Sequence, residues 1–84
     1  MLLMRYGRVK MKADKTLDIK GLTDQRPKEV TTDVLDIMAK GQILRVIADD
    51  TGARRAIALL CEYSGYRLLS TEEDGGIICF TIQK

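Results

Sequence analysis

The fold is decided at a strand-to-helix junction that reads Leu17-Asp18-Ile19-Lys20-Gly21-Leu22-Thr23-Asp24-Gln25-Arg26-Pro27. Apolar and polar residues alternate over residues 17–20, which predicts a short half-buried strand ending at Gly21. Asp24 is a good acceptor for the first N–H groups of a helix. Pro27 is tolerated in the first turn because its missing N–H would have no intrahelical partner there. The junction therefore predicts a helix with Asp24 as its N-cap.

The first helix is predicted from apolar residues at helical spacing. They form one stripe through Lys40 and consist of Val30, Val34, Ile37 and Met38. Gly41 follows directly and is suited to the left-handed position after a helix end. We therefore expect this helix to end near Lys40.

The second half of the chain predicts three strands and one helix. Residues 43–48 are rich in β-branched side chains and read as a central strand, after which Asp49 and Asp50 can cap a second helix. The expected buried face of that helix consists of Ala53, Ala56, Ile57, Leu60, Cys61 and Ser64, and Gly65 stops it. Residues 66–71 and 77–83 read as two strands, and the acidic residues 72–76 read as the hairpin turn between them.

This order, βαβαββ, predicts an α+β fold: a two-layer sandwich with a four-stranded mixed sheet and two helices on one face. Alternation points Leu44, Val46, Ala48, Ile78, Phe80 and Ile82 toward the helices. It turns a second, largely apolar set outward: Ile43, Arg45, Ile47, Leu69, Ile77 and Cys79. Residues 1–14, an N-terminal extension with Met4, Tyr6, Val9 and Met11, could cover this outer face, and so could a second subunit. Ordinary scattered surface hydrophobics are the third interpretation.

Composition limits the number of domains and the kinds of site that the chain can contain. The 84 residues suffice for one domain, predicted at residues 15–84, and the net charge of +2 does not by itself indicate nucleic acid or membrane. There is no histidine, which excludes imidazole bases and histidine metal sites. The two cysteines form no disulfide framework, so a cytoplasmic protein is expected. No cofactor or metal is expected, since the acidic runs lack the ligand spacing of a calcium site.

From residue 17 to residue 84 the chain resembles the TusA/SirA-like sulfur-carrier family. The matching positions are Leu17-Asp18-Ile19-Lys20-Gly21-Leu22, Pro27, Gly41, Ile47-Ala48-Asp49-Asp50, Ile57, Cys61, Gly65 and Ile82-Gln83-Lys84. The resemblance implies the same βαβαββ two-layer sandwich. It also implies a role in sulfur trafficking and protein partners of a sulfur relay.

The chain departs from this family at the residue that matters most for its chemistry. The family signature Gly-Leu-x-Cys-Pro-x-Pro corresponds here to residues 21–27, where Asp24 replaces the sulfur-carrying cysteine and Gln25 replaces the first proline. Sulfur transfer requires a thiolate, and a carboxylate at the same helix start has no sulfur to exchange. Asp24 is interpreted as a structural N-cap or as part of a site for a cationic partner.

The two cysteines are weighed as replacements for the missing thiol. Cys61 lies on the apolar face of the second helix and reads as a core residue. Cys79 is expected on the outer sheet face and is the one candidate reactive thiol. No helix terminus or obvious neighbouring cation would lower its pKa.

Four cations lie at the predicted helix starts: Arg26, Lys28, Arg54 and Arg55. Both helix starts follow strand ends, so these side chains could gather on one edge and meet an acidic protein surface or RNA. The fold resembles small RNA-binding domains such as the C-terminal domain of translation initiation factor 3, although no aromatic residue interleaves with the arginines. A plain solvated face is the alternative.

The sequence therefore favours a non-catalytic binding or regulatory module linked to sulfur trafficking. Its candidate partner-binding residues are Asp24, Arg26, Pro27, Lys28, Arg54 and Arg55. An active sulfur carrier that uses Cys79 is the first alternative, and a small RNA-binding domain is the second.

Overall fold

The computed structural model describes residues 12–84. Its elements follow the predicted order: β1 (Lys15–Asp18), α1 (Arg26–Ile37), β2 (Ile43–Ala48), α2 (Gly52–Ser64), β3 (Arg67–Asp74) and β4 (Ile77–Gln83). The strands form one sheet in the order β1-β2-β4-β3, in which β1 pairs parallel to β2 and the other two pairings are antiparallel. The predicted α+β fold with a four-stranded mixed sheet is confirmed.

The core lies between the helices and one face of the sheet. All six side chains predicted to point toward the helices are buried: Leu44, Val46, Ala48, Ile78, Phe80 and Ile82. The alternation in β2 is complete, since each buried residue is followed or preceded by a half-buried one. This pattern arises because successive side chains of a strand point to opposite faces and only one face is covered by helices.

The buried row of α1 differs from the predicted one. Pro27, Thr31 and Leu35 are the buried residues of the helix, and Met38, just beyond its end, is also buried. The predicted stripe was wrong at Ile37, which is 77% exposed. The row at four-residue spacing faces the sheet, and Val30 and Val34 only flank it.

The end of α1 also falls earlier than predicted. The helix stops at Ile37, and Met38 is already extended (φ −88°, ψ 155°). Gly41 does have a positive φ, of +91°, but it serves the turn into β2. Its N–H donates to the Lys84 carbonyl at 3.1 Å. The helix end itself keeps a local backbone contact, from the Met38 N–H to the Leu35 carbonyl at 3.2 Å, and Gly41 ties the following turn to Lys84.

The hairpin between β3 and β4 is tighter than predicted. Glu72, Glu73 and Asp74 belong to β3 and pair with residues of β4, so the turn consists of Gly75 and Gly76 alone. Both glycines have positive φ (+60° and +85°), which suits a two-residue hairpin turn. The acidic stretch is drawn into the strand because pairing with β4 continues to Ile77.

The outer sheet face is half-buried at most of its predicted apolar positions, and Ile77 is exposed. The pairing of β3 is irregular between Leu68 and Ser70, next to Leu69. Met4, Tyr6, Val9 and Met11, which were predicted as one covering for this face, lie outside the described residues. The alternative covering by a second subunit stays a prediction.

Candidate functional site

The loop between β1 and α1 is tied to the end of β2. Gly21 donates its backbone N–H to Oδ1 of Asp49 at 2.9 Å, and Leu22 donates to the Ile19 carbonyl at 3.1 Å. Gly21 has φ +91°, a conformation that a side chain would strain. The loop therefore leaves β1 in a set direction and carries residues 22–24 to the start of α1.

Asp24 is not the N-cap of α1. It lies one residue earlier with φ +56°, a left-handed conformation that aspartate tolerates better than most residues. Gln25 occupies the N-cap position, and its side chain makes no capping hydrogen bond. The predicted structural role of Asp24 was therefore wrong, and its exposed carboxylate stands at the entrance to the helix.

The predicted cap of α2 was wrong for the same kind of reason. Thr51 is the N-cap and makes no side-chain cap. Asp49 instead turns its carboxylate to the neighbouring loop, and Asp50 accepts from Ala53 through its backbone carbonyl at 2.9 Å. The C-terminal end of α2 agrees with the prediction, because Gly65 adopts the left-handed conformation there.

Pro27 joins the start of α1 to the core. It occupies the first turn of the helix, where it costs no hydrogen bond, and it is buried. Its part in partner binding stays a prediction, and the exposed residues on either side of it, Arg26 and Lys28, carry the charge of this edge.

The four cations do not form one cluster. Arg26 lies 3.8 Å (Nε to Oε1) from Glu29 on its own helix, and Arg54 forms an ion pair with Glu73 of β3. Lys28 and Arg55 have no ion-pair partner within residues 12–84. The predicted single basic edge therefore reduces to these two side chains.

Lys28 and Arg55 line a shared groove between the helices. Its volume is about 420 Å³, and its lining consists of Gln25, Lys28, Gly52, Arg55, Ala56, Leu59, Leu60, Tyr63 and Ser64. Most of the lining comes from α2, and Tyr63 is 81% exposed. The groove brings the first turn of α1 together with an apolar strip of α2.

Neither cysteine is placed for easy ionisation. Cys61 is buried in α2, and burial raises the pKa of its thiol to about 11. Cys79 lies on the outer face of β4, paired with Ile47 and Glu72. Partial burial raises the pKa of Cys79, Arg45 lowers it and Glu72 raises it further, with the net shift upward. A raised pKa leaves fewer thiolates available at neutral pH.

Two further features of the described chain bear on function. No group of three or more acidic or cysteine side chains within residues 12–84 is arranged to hold a metal ion. In the same range, neither helix has the length and hydrophobicity that crossing a bilayer requires.

The model of the family described as sulfurtransferase TusA matches residues 15–84. The chain belongs to the TusA family. A similar protein, YrkI of Bacillus subtilis (strain 168), is named as a candidate sulfur carrier. It is 39% identical over 74 residues, which cover 88% of this chain and 99% of YrkI. The sulfur carrier protein TusA of Pseudomonas putida (strain GB-1) is 35% identical over 71 residues, 84% of this chain and 89% of that protein.

A solved structure supports the TusA-family fold independently. The SirA-like protein of Desulfitobacterium hafniense matches with a TM-score of 0.67 over 82% of this chain and 95% of that one. The sequence identity is 24%, so this likeness concerns the fold. The resemblance to the TusA/SirA-like family inferred from the sequence is confirmed.

Sequence reasoning missed two features of this site. Asp49 was interpreted as a cap, whereas it holds the β1–α1 loop. The parallel pairing of β1 and β2 could have indicated this contact, because it places the C-terminal ends of both strands, and the loops that follow them, at one edge of the sheet. Leu59 and Tyr63 were not predicted to belong to a site, because the face of α2 that meets α1 cannot be read from periodicity alone.

Proposed function

We propose that this TusA-family chain is a non-catalytic binding module linked to sulfur trafficking. The observation that carries the proposal is the identity and setting of Asp24: an exposed carboxylate stands where the family signature has its sulfur-carrying cysteine. The YrkI and TusA names describe sulfur carriers, and this chain is similar in sequence to both.

The chemistry of sulfur transfer explains why this substitution matters. A carrier thiolate attacks the outer sulfur of a donor persulfide, an S–S bond forms to the carrier, and the donor leaves as a thiolate. The carrier must then release that sulfur to an acceptor thiolate. A carboxylate oxygen at the same position accepts hydrogen bonds and attracts cations, and it forms no persulfide.

The two thiols of the chain support the same proposal. Cys61 is buried, and Cys79 is half-buried within the sheet with a raised pKa. A carrier that used Cys79 would attack from a thiol with little thiolate at neutral pH. Burial and the nearby Glu72 carboxylate leave the pKa of Cys79 raised, although Arg45 favours its thiolate.

Sulfur labelling tests the proposal directly. The purified protein is incubated with a cysteine desulfurase and ³⁵S-cysteine, and Pseudomonas putida TusA serves as the positive control. We expect the control to retain label that dithiothreitol releases, and this chain to retain none. Label on the wild-type protein that disappears in Cys79→Ser would refute the proposal in favour of an active carrier.

A gain-of-function variant completes the test. Asp24→Cys places a thiol at the exposed helix entrance, where the positive end of the helix dipole favours a thiolate. We expect this variant to retain label and Asp24→Ser, its matched control, to retain none. Equal labelling of wild type and Asp24→Cys would show that position 24 is not what limits sulfur uptake.

A further inference from the structure

The groove between α1 and α2 combines an apolar floor with two cations that no described carboxylate neutralises. Ala56, Leu59 and Leu60 supply the apolar part, and Lys28 and Arg55 stand toward the N-terminal ends of the two helices. The two helices run parallel, since each follows a strand of the same direction. The positive ends of both helix dipoles therefore add to the two side-chain charges at one end of the groove.

The shape of the groove favours an elongated ligand. Its lining on α2 extends from Gly52 to Ser64, a length of about 18 Å at the rise of an α-helix. An extended peptide covers that distance with about five residues. The volume of about 420 Å³ accommodates one or two large side chains, and Tyr63 at the far end offers an exposed ring to pack against them.

We infer that this groove binds a short, extended, acidic segment of a protein partner, with at least one large apolar side chain next to its carboxylates. The carboxylates contact Lys28 and Arg55, and the apolar side chain packs on Leu59 and Tyr63. The inference rests on the proposed binding role and is independent of whether the chain transfers sulfur.

Charge around the groove argues for a peptide over RNA. Two unpaired cations give a weak attraction for a phosphate backbone, whereas phosphate contacts dominate nucleic-acid affinity. Asp24 precedes Gln25 of the lining, and Asp49 and Asp50 precede Gly52. These carboxylates repel the continuous negative charge of an RNA backbone. A peptide avoids most of this repulsion when its acidic residues are few and lie beside Lys28 and Arg55.

The ion pairs supply matched controls. Lys28 and Arg55 line the groove, whereas Arg26 and Arg54 are engaged by Glu29 and Glu73. All four side chains are exposed, so charge reversal leaves the core intact. Lys28→Glu and Arg55→Glu therefore test the groove, and Arg26→Glu and Arg54→Glu test unspecific charge effects.

The experiment begins with selection of a phage-displayed library of random 12-residue peptides on the immobilised wild-type protein. Enriched peptides are synthesised with a fluorescein label and titrated by anisotropy. We expect the enriched peptides to carry acidic residues beside an apolar residue. Their affinity should fall about tenfold or more for Lys28→Glu and Arg55→Glu, and should change about twofold or less for the two control variants. Leu59→Asp should weaken the same peptides.

Three outcomes would overturn the inference: no enriched peptide, enriched peptides without acidic residues, or affinities that Lys28→Glu leaves unchanged. A fluorescein-labelled 12-nucleotide single-stranded RNA is titrated in parallel. Tighter binding of that RNA, lost in Lys28→Glu, would assign the groove to nucleic acid instead. The sulfur-labelling experiment reads transfer alone, so retained label would refute the non-catalytic role while leaving a positive peptide result in place.

Discussion

The N–H of Gly21 and the carboxylate of Asp49 meet at 2.9 Å and join the loop after β1 to the loop after β2. The two residues are 28 positions apart in the chain. The contact anchors the loop three residues before Asp24, whose exposed carboxylate stands at the signature position of the TusA family.

Replacement of Asp49 should loosen this loop. Asp49→Ala removes the acceptor for the Gly21 N–H and should lower the free energy of unfolding by about 1 kcal/mol. Asp49→Asn keeps an oxygen acceptor and should retain most of the stability. Urea denaturation followed by circular dichroism measures both, with Asp33→Ala on the exposed face of α1 as the control. A loss for Asp33→Ala as large as for Asp49→Ala would contradict this role.

Thr31 carries a buried hydroxyl that has no hydrogen-bond partner among the described residues. Thr31→Val has nearly the same shape and removes that unsatisfied group, so it should raise the free energy of unfolding by about 1 kcal/mol. Thr32→Val is the matched control, because Thr32 donates to the Lys28 carbonyl at 2.7 Å and the change removes a satisfied bond. Thermal and urea unfolding should therefore show a higher stability for Thr31→Val and a lower stability for Thr32→Val than for the wild-type protein. A destabilised Thr31→Val would mean that the hydroxyl has a partner.

Lys84 fastens the last strand to the end of α1. Its Nζ donates to the Met38 carbonyl at 2.8 Å and to the Asp36 carbonyl at 3.2 Å, which satisfies groups that the helix end leaves open. Lys84→Met should cost about 1–2 kcal/mol of unfolding free energy. Lys40→Met, at an exposed lysine without such bonds in the described chain, should cost much less. Equal urea midpoints for the two variants would argue against the contact.

The thiols should react slowly in the folded protein. With the pKa of Cys61 raised to about 11 by burial, about one side chain in a thousand is a thiolate at pH 8. Iodoacetamide at pH 8, read by mass spectrometry, should modify Cys79 before Cys61, and both faster in urea. Rapid modification of Cys61 in the native state would contradict its burial.

Burial of Cys61 also predicts a pH dependence of stability. Its folded pKa lies above the unfolded value of 9.0, so the neutral thiol stabilises the fold fully below about pH 9. This contribution is lost as the pH rises toward about 11, because the unfolded state ionises first. The urea midpoint should fall further between pH 8 and pH 10.5 for the wild-type protein than for Cys61→Ala. An equal fall in both proteins would exclude this contribution.

Much of the fold could be predicted because its signals are local. The six elements, the inward row Leu44, Val46 and Ala48 of β2 and the helix stop at Gly65 all follow from spacing over a few residues. The presence of Asp24 at the signature position is likewise a property of the sequence alone. These features need no knowledge of what any residue meets across the fold.

Tertiary structure decided the features that depend on distant partners. Asp24 precedes the cap position in a loop whose start is held by the Gly21–Asp49 contact, and α1 ends early beside Lys84. Glu73 belongs to β3 because it pairs with β4, and from there it forms an ion pair with Arg54. Arg54 is therefore no longer a free cation of the predicted basic edge. Propensity and periodicity report on neighbours in the chain, whereas these contacts join residues that only the sheet and its two helices bring together.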